Sequence, residues 1–223
     1  MSPVVKTDEI LLLFVRHPEA GRAKTRLIPA LGPDGAAALY RRMAESIAAE
    51  AGRLARPGLA HVAMVEPPER AAAVGRWLGA PWQVEPQAAG DLGVRLATAF
   101  EKAFEQGAQR VVAIGTDCLD LDAPRLARAF DRLHDHDAVV GPATDGGYYL
   151  LGLSRPVAGC FDRIPWSTAE TLVATRARLA TAGCTVAELD PLRDLDTPDD
   201  LAALAGRWGR WLGVEEGDRG GLR

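Results

Sequence analysis

The sequence has little of what builds a disulfide scaffold or a zinc site. Only three cysteines occur in 223 residues, Cys118, Cys160 and Cys184, an odd number with no CxxC spacing, so reduced thiols are expected. A long hydrophobic run is also missing. The longest uninterrupted apolar stretch, Ile10 to Val15, is six residues and follows the charged start MSPVVKTDE. That is too short to span a membrane and unlike a secretory signal, so no membrane span and a cytoplasmic location are expected. There is no basic excess: 26 Lys plus Arg stand against 30 Asp plus Glu, a net charge of -4, the wrong sign for a dedicated nucleic-acid binder. No GxGxxG follows a strand pattern, and neither GxxxxGK nor GxSxG occurs. A dinucleotide-binding dehydrogenase, a P-loop kinase and a hydrolase with a nucleophile elbow are therefore unsupported. The histidines His17, His61, His134 and His136 show no ligand spacing.

What remains is an ordinary globular composition, 48% hydrophobic and 25% charged, long enough to bury a core of its own. Short β-rich runs alternate with longer helical patterns, which predicts an α/β fold of parallel strands joined by crossover helices. Strands are expected at Ile10 to Val15, Ala60 to Val65, Val111 to Ile114, Ala138 to Gly141, Tyr148 to Leu151 and Thr185 to Leu189. The first is apolar on both faces and belongs mid-sheet. The helix after Pro33 carries Leu39, Met43, Ile47, Ala51 and Leu54 on one stripe. Further helices are expected from Glu69, Asp91, Pro124, Thr168 and Pro198. Ser167 with Glu170 reads as a capping box, and Thr197, Pro198 and Asp200 as cap, N1 proline and N3 acid. No repeat or linker separates two domains, so residues 1–212 are expected to form one domain and 213–223 a flexible tail.

Chemistry gathers in two places. The first is the loop after the first strand, RHPEAGRAKTRL, which sets Arg16, Arg22, Lys24 and Arg26 against the single acid Glu19. A βα junction at the carboxyl edge of an open sheet is where ligands bind. Gly21 suits a close anion approach, Arg grips phosphate bidentately and Lys supplies a mobile point charge, with Thr25 beside it. A solvated basic loop is the competing explanation. The second place is acidic. GTDCLDLD puts Asp117, Asp120 and Asp122 beyond the Val111 strand; Asp122 is explained as a helix cap, whereas Asp117 lies too far upstream for that. Hard oxygen ligands of this kind suit Mg²⁺ or Mn²⁺. In DLDTPDDL, Asp199 and Asp200 match the helix dipole, while Asp196 precedes the cap and could face the same ion. Asp145, in TDGG, fits either a hairpin turn or a site. In QAAGDLGVRL, Gln87 and Gly90 lie in a loop, Asp91 caps a helix, and Arg95 could reach a phosphate or an acid.

In this order, FVRHPEAGRAKTRL, QAAGDLGVRL, IGTDCLDL, GPATDGGYYLLGL, IPWST and DLDTPDDL resemble a bacterial family of GT-A-like transferases associated with radical-SAM and selenodomain proteins. The likeness spans about residues 10 to 205. More distantly, the chain is similar to nucleotidyltransferases that make guanylylated phospholactate, molybdopterin guanine dinucleotide and activated sugars. The resemblance implies a three-layer αβα sandwich with a mainly parallel sheet. It also implies that the loop with Arg16, Gly21, Lys24 and Arg26 wraps the nucleotide phosphates and that Asp117 and Asp196 face a Mg²⁺ or Mn²⁺ ion; Thr25, Gln87, Gly90 and Arg95 complete the expected nucleotide site. The motif departs from a strict DxD, leaving Asp120 open, and the first loop lacks the glycine-rich form of typical nucleotidyltransferases.

The expected function is therefore metal-dependent transfer from a nucleotide-activated donor. In its first form a sugar passes from a nucleoside diphosphate sugar to a small acceptor, with Asp117, Lys24 and Asp145 as the catalytic candidates. Nucleotidyl transfer to a phosphorylated small molecule, with pyrophosphate release, is the alternative. An inactive nucleotide-binding module is the third.

Overall fold

The computed structural model describes residues 7–212; the expected tail at 213–223 lies outside them. Seven strands form one sheet: β1 (Glu9–Arg16), β2 (Leu59–Glu66), β3 (Gln83–Pro86), β4 (Arg110–Ile114), β5 (Ala138–Pro142), β6 (Tyr148–Leu153) and β7 (Val186–Glu188). Their spatial order is β3-β2-β1-β4-β6-β5-β7. All neighbours run parallel except β6, which is antiparallel to both β4 and β5. The helices are α1 (Ile28–Gly52), α2 (Ala71–Leu78), α3 (Leu92–Glu105), α4 (Ala123–Arg132), α5 (Thr171–Thr181) and α6 (Pro198–Leu212). No helix among the described residues is long and apolar enough to cross a membrane.

The period-two alternation of strand side chains builds the three layers. Leu11, Leu13 and Val15 of β1 face one way, onto Ala44, Ile47, Ala48 and Ala51 of α1 and Phe130 of α4. Ile10 and Leu12 face the other way, onto Leu96, Ala99, Phe100 and Ala103 of α3 and Leu179 of α5. This is why β1 reads as a continuous apolar run. The α1 stripe is buried as its spacing demands, but the helix begins earlier than Pro33 and is broken at Gly32, whose φ of 68° no helix accommodates. A third, smaller cluster of Leu27, Leu39, Met43, Leu119, Leu195 and Leu204 fastens α6 beneath α1.

Asp91 and Asp122 cap α3 and α4, accepting from the amides of Val94 and Arg125. Thr197 and Asp200 exchange bonds as a capping box, Asp200 Oδ2 taking the Thr197 amide at 2.9 Å. The box expected at Ser167 and Glu170 does not form. Ser167 sits in the left-handed region at φ 61°, and Thr168 takes over, its Oγ1 accepting the Glu170 amide at 3.2 Å. β3 is an addition to the expected strands.

Candidate active site

The parallel strands β1, β2 and β4 end on one edge of the sheet, and the loops that leave them enclose a cleft of about 630 Å³. The β1–α1 loop enters it through a turn in which Glu19 O accepts the amides of Arg22 and Ala23. Gly21 occupies that turn at φ 79° with open space where a Cβ would stand. Glycine serves the turn there, and Gly21 is not among the residues lining the cleft. Buried Ala23 and Leu27 anchor the loop on either side of Lys24. With Lys24 itself left-handed at φ 47°, the side chain is driven inward.

Lys24 Nζ lies 2.5 Å from Asp117 Oδ1 and 2.5 Å from Asp196 Oδ1. The lysine side chain is only 5% exposed, whereas Asp117 is 45% and Asp196 35% exposed. Burial by itself would lower the lysine pKa; the two adjoining carboxylates overcome it and raise the value above the ordinary range. The acidic partners meet because the Leu195 amide donates to Asp117 O at 2.9 Å, stitching the segment before α6 to the end of β4. The basic loop and the two acids thus converge, but on each other: the ammonium expected on phosphate stands between the carboxylates expected on metal. Arg26 remains 65% exposed, 3.9 Å from Asp196, and Thr25 lines the cleft beside it.

Arg16 and Arg95 are not free phosphate grips. Both converge on Glu66, at 2.8 and 2.7 Å. Arg95 also donates to Gly90 O and to Gln87 Oε1, and Gln87 spends its own amide on Met64 O. Gly90 does not line the cleft. Glu66 was not legible as a site residue, since it ends a strand with no motif around it. Burial would raise its pKa, but the bonds from Arg95 and Arg16 hold it below the ordinary value. Tyr40 was also missed. It reads as one more residue of the buried α1 face, yet its hydroxyl accepts the Arg16 amide at 2.7 Å and lies in the cleft floor.

The opposite wall comes from the β5–β6 turn, residues 166–171 and residues 194–196. Asp145 both makes the hairpin turn, accepting the Gly147 amide at 2.8 Å, and lines the cleft. Tyr148 and Trp166 line it as an edge-to-face pair with centroids 6.4 Å apart. Asp194 is an unforeseen member. It accepts a hydrogen bond from Cys118, and burial, with the charges of Asp145, Asp117 and Asp196 adding to it, pushes its pKa up to about 7 against the lowering effect of Cys118. Asp120 pairs with Arg207 at 3.1 Å and does not line the cleft.

Among the described residues no group of three or more His, Cys, Asp or Glu is arranged to hold a metal ion. Asp117 and Asp196 do fit a divalent ion of another kind. Their Oδ1 atoms already share one cation at 2.5 Å, both side chains are open to the cleft, and two hard carboxylates completed by phosphate oxygens are what Mg²⁺ or Mn²⁺ uses.

Sheet order, layering and the placement of this cleft define the nucleotide-diphospho-sugar transferase fold. Within that fold, the chain belongs to the family described as "Uncharacterized protein conserved in bacteria (DUF2064)", which matches residues 33–168. A provisionally assigned nucleotide-diphospho-sugar transferase of Desulfovibrio desulfuricans G20 is 34% identical, with 89% of this chain and 86% of that chain covered and a TM-score of 0.81. The CMP:2-keto-3-deoxy-manno-octonic acid synthetase complexed with CTP is 12% identical, over 92% of this chain and 99% of that one, at a TM-score of 0.59. Rv0371c of Mycobacterium tuberculosis H37Rv, in complex with manganese, is 19% identical over 90% and 100%, at 0.53. These last two share the fold alone. No functionally curated protein matches the chain.

Proposed function

We propose that this protein transfers a sugar from a nucleoside diphosphate sugar to a small acceptor, with Mg²⁺ or Mn²⁺ as its cofactor. The observation that carries the reading is the Lys24–Asp117–Asp196 cluster at the carboxyl edge of the sheet, 2.5 Å on each side. The provisional name of the Desulfovibrio relative and the manganese bound by Rv0371c agree with it. Asp117 and Asp196 would hold the ion. The ion would neutralise charge on the departing nucleoside diphosphate. Lys24 and Arg26 are within reach of the same phosphates, and the Arg16–Glu66–Arg95 group, with Gln87, fixes the floor of the nucleoside end. Asp145 is the carboxylate on the acceptor side. The acceptor hydroxyl oxygen bonds to the anomeric carbon and gives its proton to Asp145, while the bond from that carbon to the diphosphate oxygen breaks.

Charge favours this donor over a triphosphate. Five basic and five acidic side chains line the cleft, so the protein offers little net positive potential. A diphosphate sugar is matched by one divalent ion, whereas a triphosphate brings charge that these residues leave unbalanced. Nucleotidyl transfer, the alternative that the CTP bound by the CMP:2-keto-3-deoxy-manno-octonic acid synthetase keeps in view, would release pyrophosphate instead of a nucleoside diphosphate. The test is a binding panel of nucleoside diphosphate sugars and triphosphates, each with and without Mg²⁺ or Mn²⁺, followed by identification of the phosphate product. Metal-dependent binding of a diphosphate sugar is expected. Absence of any nucleotide binding, or pyrophosphate as the product, overturns the reading.

A further inference from the structure

The charge in the cleft is balanced overall but divided in space. All five basic lining residues, Arg16, Arg22, Lys24, Arg26 and Arg95, come from the end of β1, the β1–α1 loop and α3, and Asp196 is paired with two of them; the lining from the β5–β6 hairpin and the loop before α5 contributes the carboxylate of Asp145 and no Lys, Arg or His. Backbone donors do not redress this. The start of α5 faces that wall, and a helix start can hold an anion, but three successive amides there already have acceptors. Leu172 N donates to Gly146 O at 2.9 Å, Thr171 N to Thr168 O at 3.2 Å, and Glu170 N to Thr168 Oγ1 at 3.2 Å. The Gly147 amide is likewise taken by Asp145.

The same wall is built to stay in place. A Cβ on Gly146 would lie 2.3 Å from Ala169 O, so the hairpin turn is pressed against the loop that carries Ser167. Ser167 is held left-handed at φ 61°, a conformation unfavourable for an L-residue that persists only when neighbours enforce it. Trp166 is packed edge-on by Tyr148 and seated on α3 at Gly93, where a Cβ would lie 2.6 Å from its Nε1. Neither the Ser167 hydroxyl nor the Trp166 Nε1 has a hydrogen-bond partner among the described residues, and both residues line the cleft. An indole to cover C–H faces, with an uncommitted hydroxyl and a carboxylate for O–H groups, is the chemistry that recognises a polyol.

We infer that this wall is the acceptor subsite and that it selects an uncharged, hydroxyl-rich acceptor, a sugar or polyol, over its phosphorylated counterpart. The word acceptor rests on the transferase reading above; the ligand class rests on the wall itself. A phosphorylated molecule seated against Trp166 and Ser167 meets the carboxylate of Asp145, and no Lys, Arg or His lines that part of the wall to pair it.

Ligand-observed NMR titration of the donor-free protein with matched pairs, glucose against glucose 6-phosphate and glycerol against glycerol 3-phosphate, tests the inference. The neutral member of a pair is expected to bind about tenfold more tightly. Trp166→Ala should abolish that binding, and the exposed Ser167→Ala, which removes only the hydroxyl, should weaken it. Asp145→Lys should reverse the order within each pair. Equal or tighter binding of the phosphorylated members, no binding of either neutral member, or neutral binding untouched by both the Trp166 and Ser167 substitutions overturns the inference. Because no nucleotide is present, failure of the donor panel would remove the transferase reading and leave this result standing.

Discussion

The Lys24 ammonium is shared by two carboxylates that remain 45% and 35% exposed, so its removal leaves like charges facing each other in partial contact with water. Breaking a fully buried pair costs about 3–5 kcal/mol; solvation of the two acids reduces the expectation for Lys24→Met to about 1–2 kcal/mol. Mn²⁺ without nucleotide should restore much of that loss in Lys24→Met, because the ion can take the vacated position, and should shift the wild type far less. Melting curves with Mn²⁺ and with EDTA check this, and an equal metal response in the two proteins would contradict it. Asp194 makes a prediction in pH. Its folded pKa is raised from 3.8 to about 7, chiefly by burial, so the folded state holds a proton that the unfolded chain has released. Its contribution is fully present below about pH 4 and is lost as pH rises through 7. Asp194→Asn should therefore flatten the stability profile between pH 4 and 7 and raise stability at pH 8, as denaturant titrations at each pH would report. At this scale the sequence was partly readable. Lys24, Asp117 and Asp196 stand out by their motifs, but the pairing of Lys24 with residues 93 and 172 positions away follows from topology, which no local pattern carries. Glu66 and Asp194 gain their roles only from the partners that folding brings.

Two elements fix the acceptor wall, the β5–β6 hairpin and the loop before α5, and Gly146 is where they touch. Gly146→Ala would place a methyl 2.3 Å from Ala169 O at a backbone φ of 91°. With both a clash against main chain and left-handed strain, a loss of about 2–4 kcal/mol is expected. The wall should loosen selectively: binding of neutral polyols should fall while nucleotide binding persists, a split that parallel titrations would resolve. An equal loss of both would mean that the hairpin supports the entire cleft. The elements themselves differ in how far they could be read from residues. β1, β2 and β4 are legible because each is sandwiched between helices and so is apolar on both faces. β3, Gln83–Pro86, is four residues with a terminal proline and half its side chains exposed; it is a strand by virtue of its ladder with β2 and has no period of its own. The direction of β6 was equally hidden, since the Asp145-Gly146-Gly147 turn allowed a hairpin without requiring one. Ser167 misled because a capping box needs extended backbone at its first residue, and Ser167 is left-handed at φ 61°.

For the molecule as a whole, the balance of charges in the cleft ties donor binding to the metal. Without a divalent ion, the donor's diphosphate meets as many carboxylates as cations; with one, the site gains two positive charges beside Asp117 and Asp196. Thermal stability is then expected to respond to a nucleoside diphosphate sugar and Mg²⁺ together far more than to either alone. At a hundred times the dissociation constant the ligand contributes about 2.7 kcal/mol, roughly 5–10 °C for a chain of this length. Asp117→Asn should remove most of the metal-dependent part and, if charge on the leaving group limits the rate, lower turnover about 10²- to 10³-fold, while leaving neutral-polyol binding at the other wall intact. Raising ionic strength should weaken the open cation Arg26 more than the buried Lys24 cluster, since screening acts mainly on exposed charge. A donor shift that is the same with Mg²⁺ and with EDTA would mean that the chain's own cations suffice, and that Lys24 leaves its two carboxylates for the phosphate when the donor arrives.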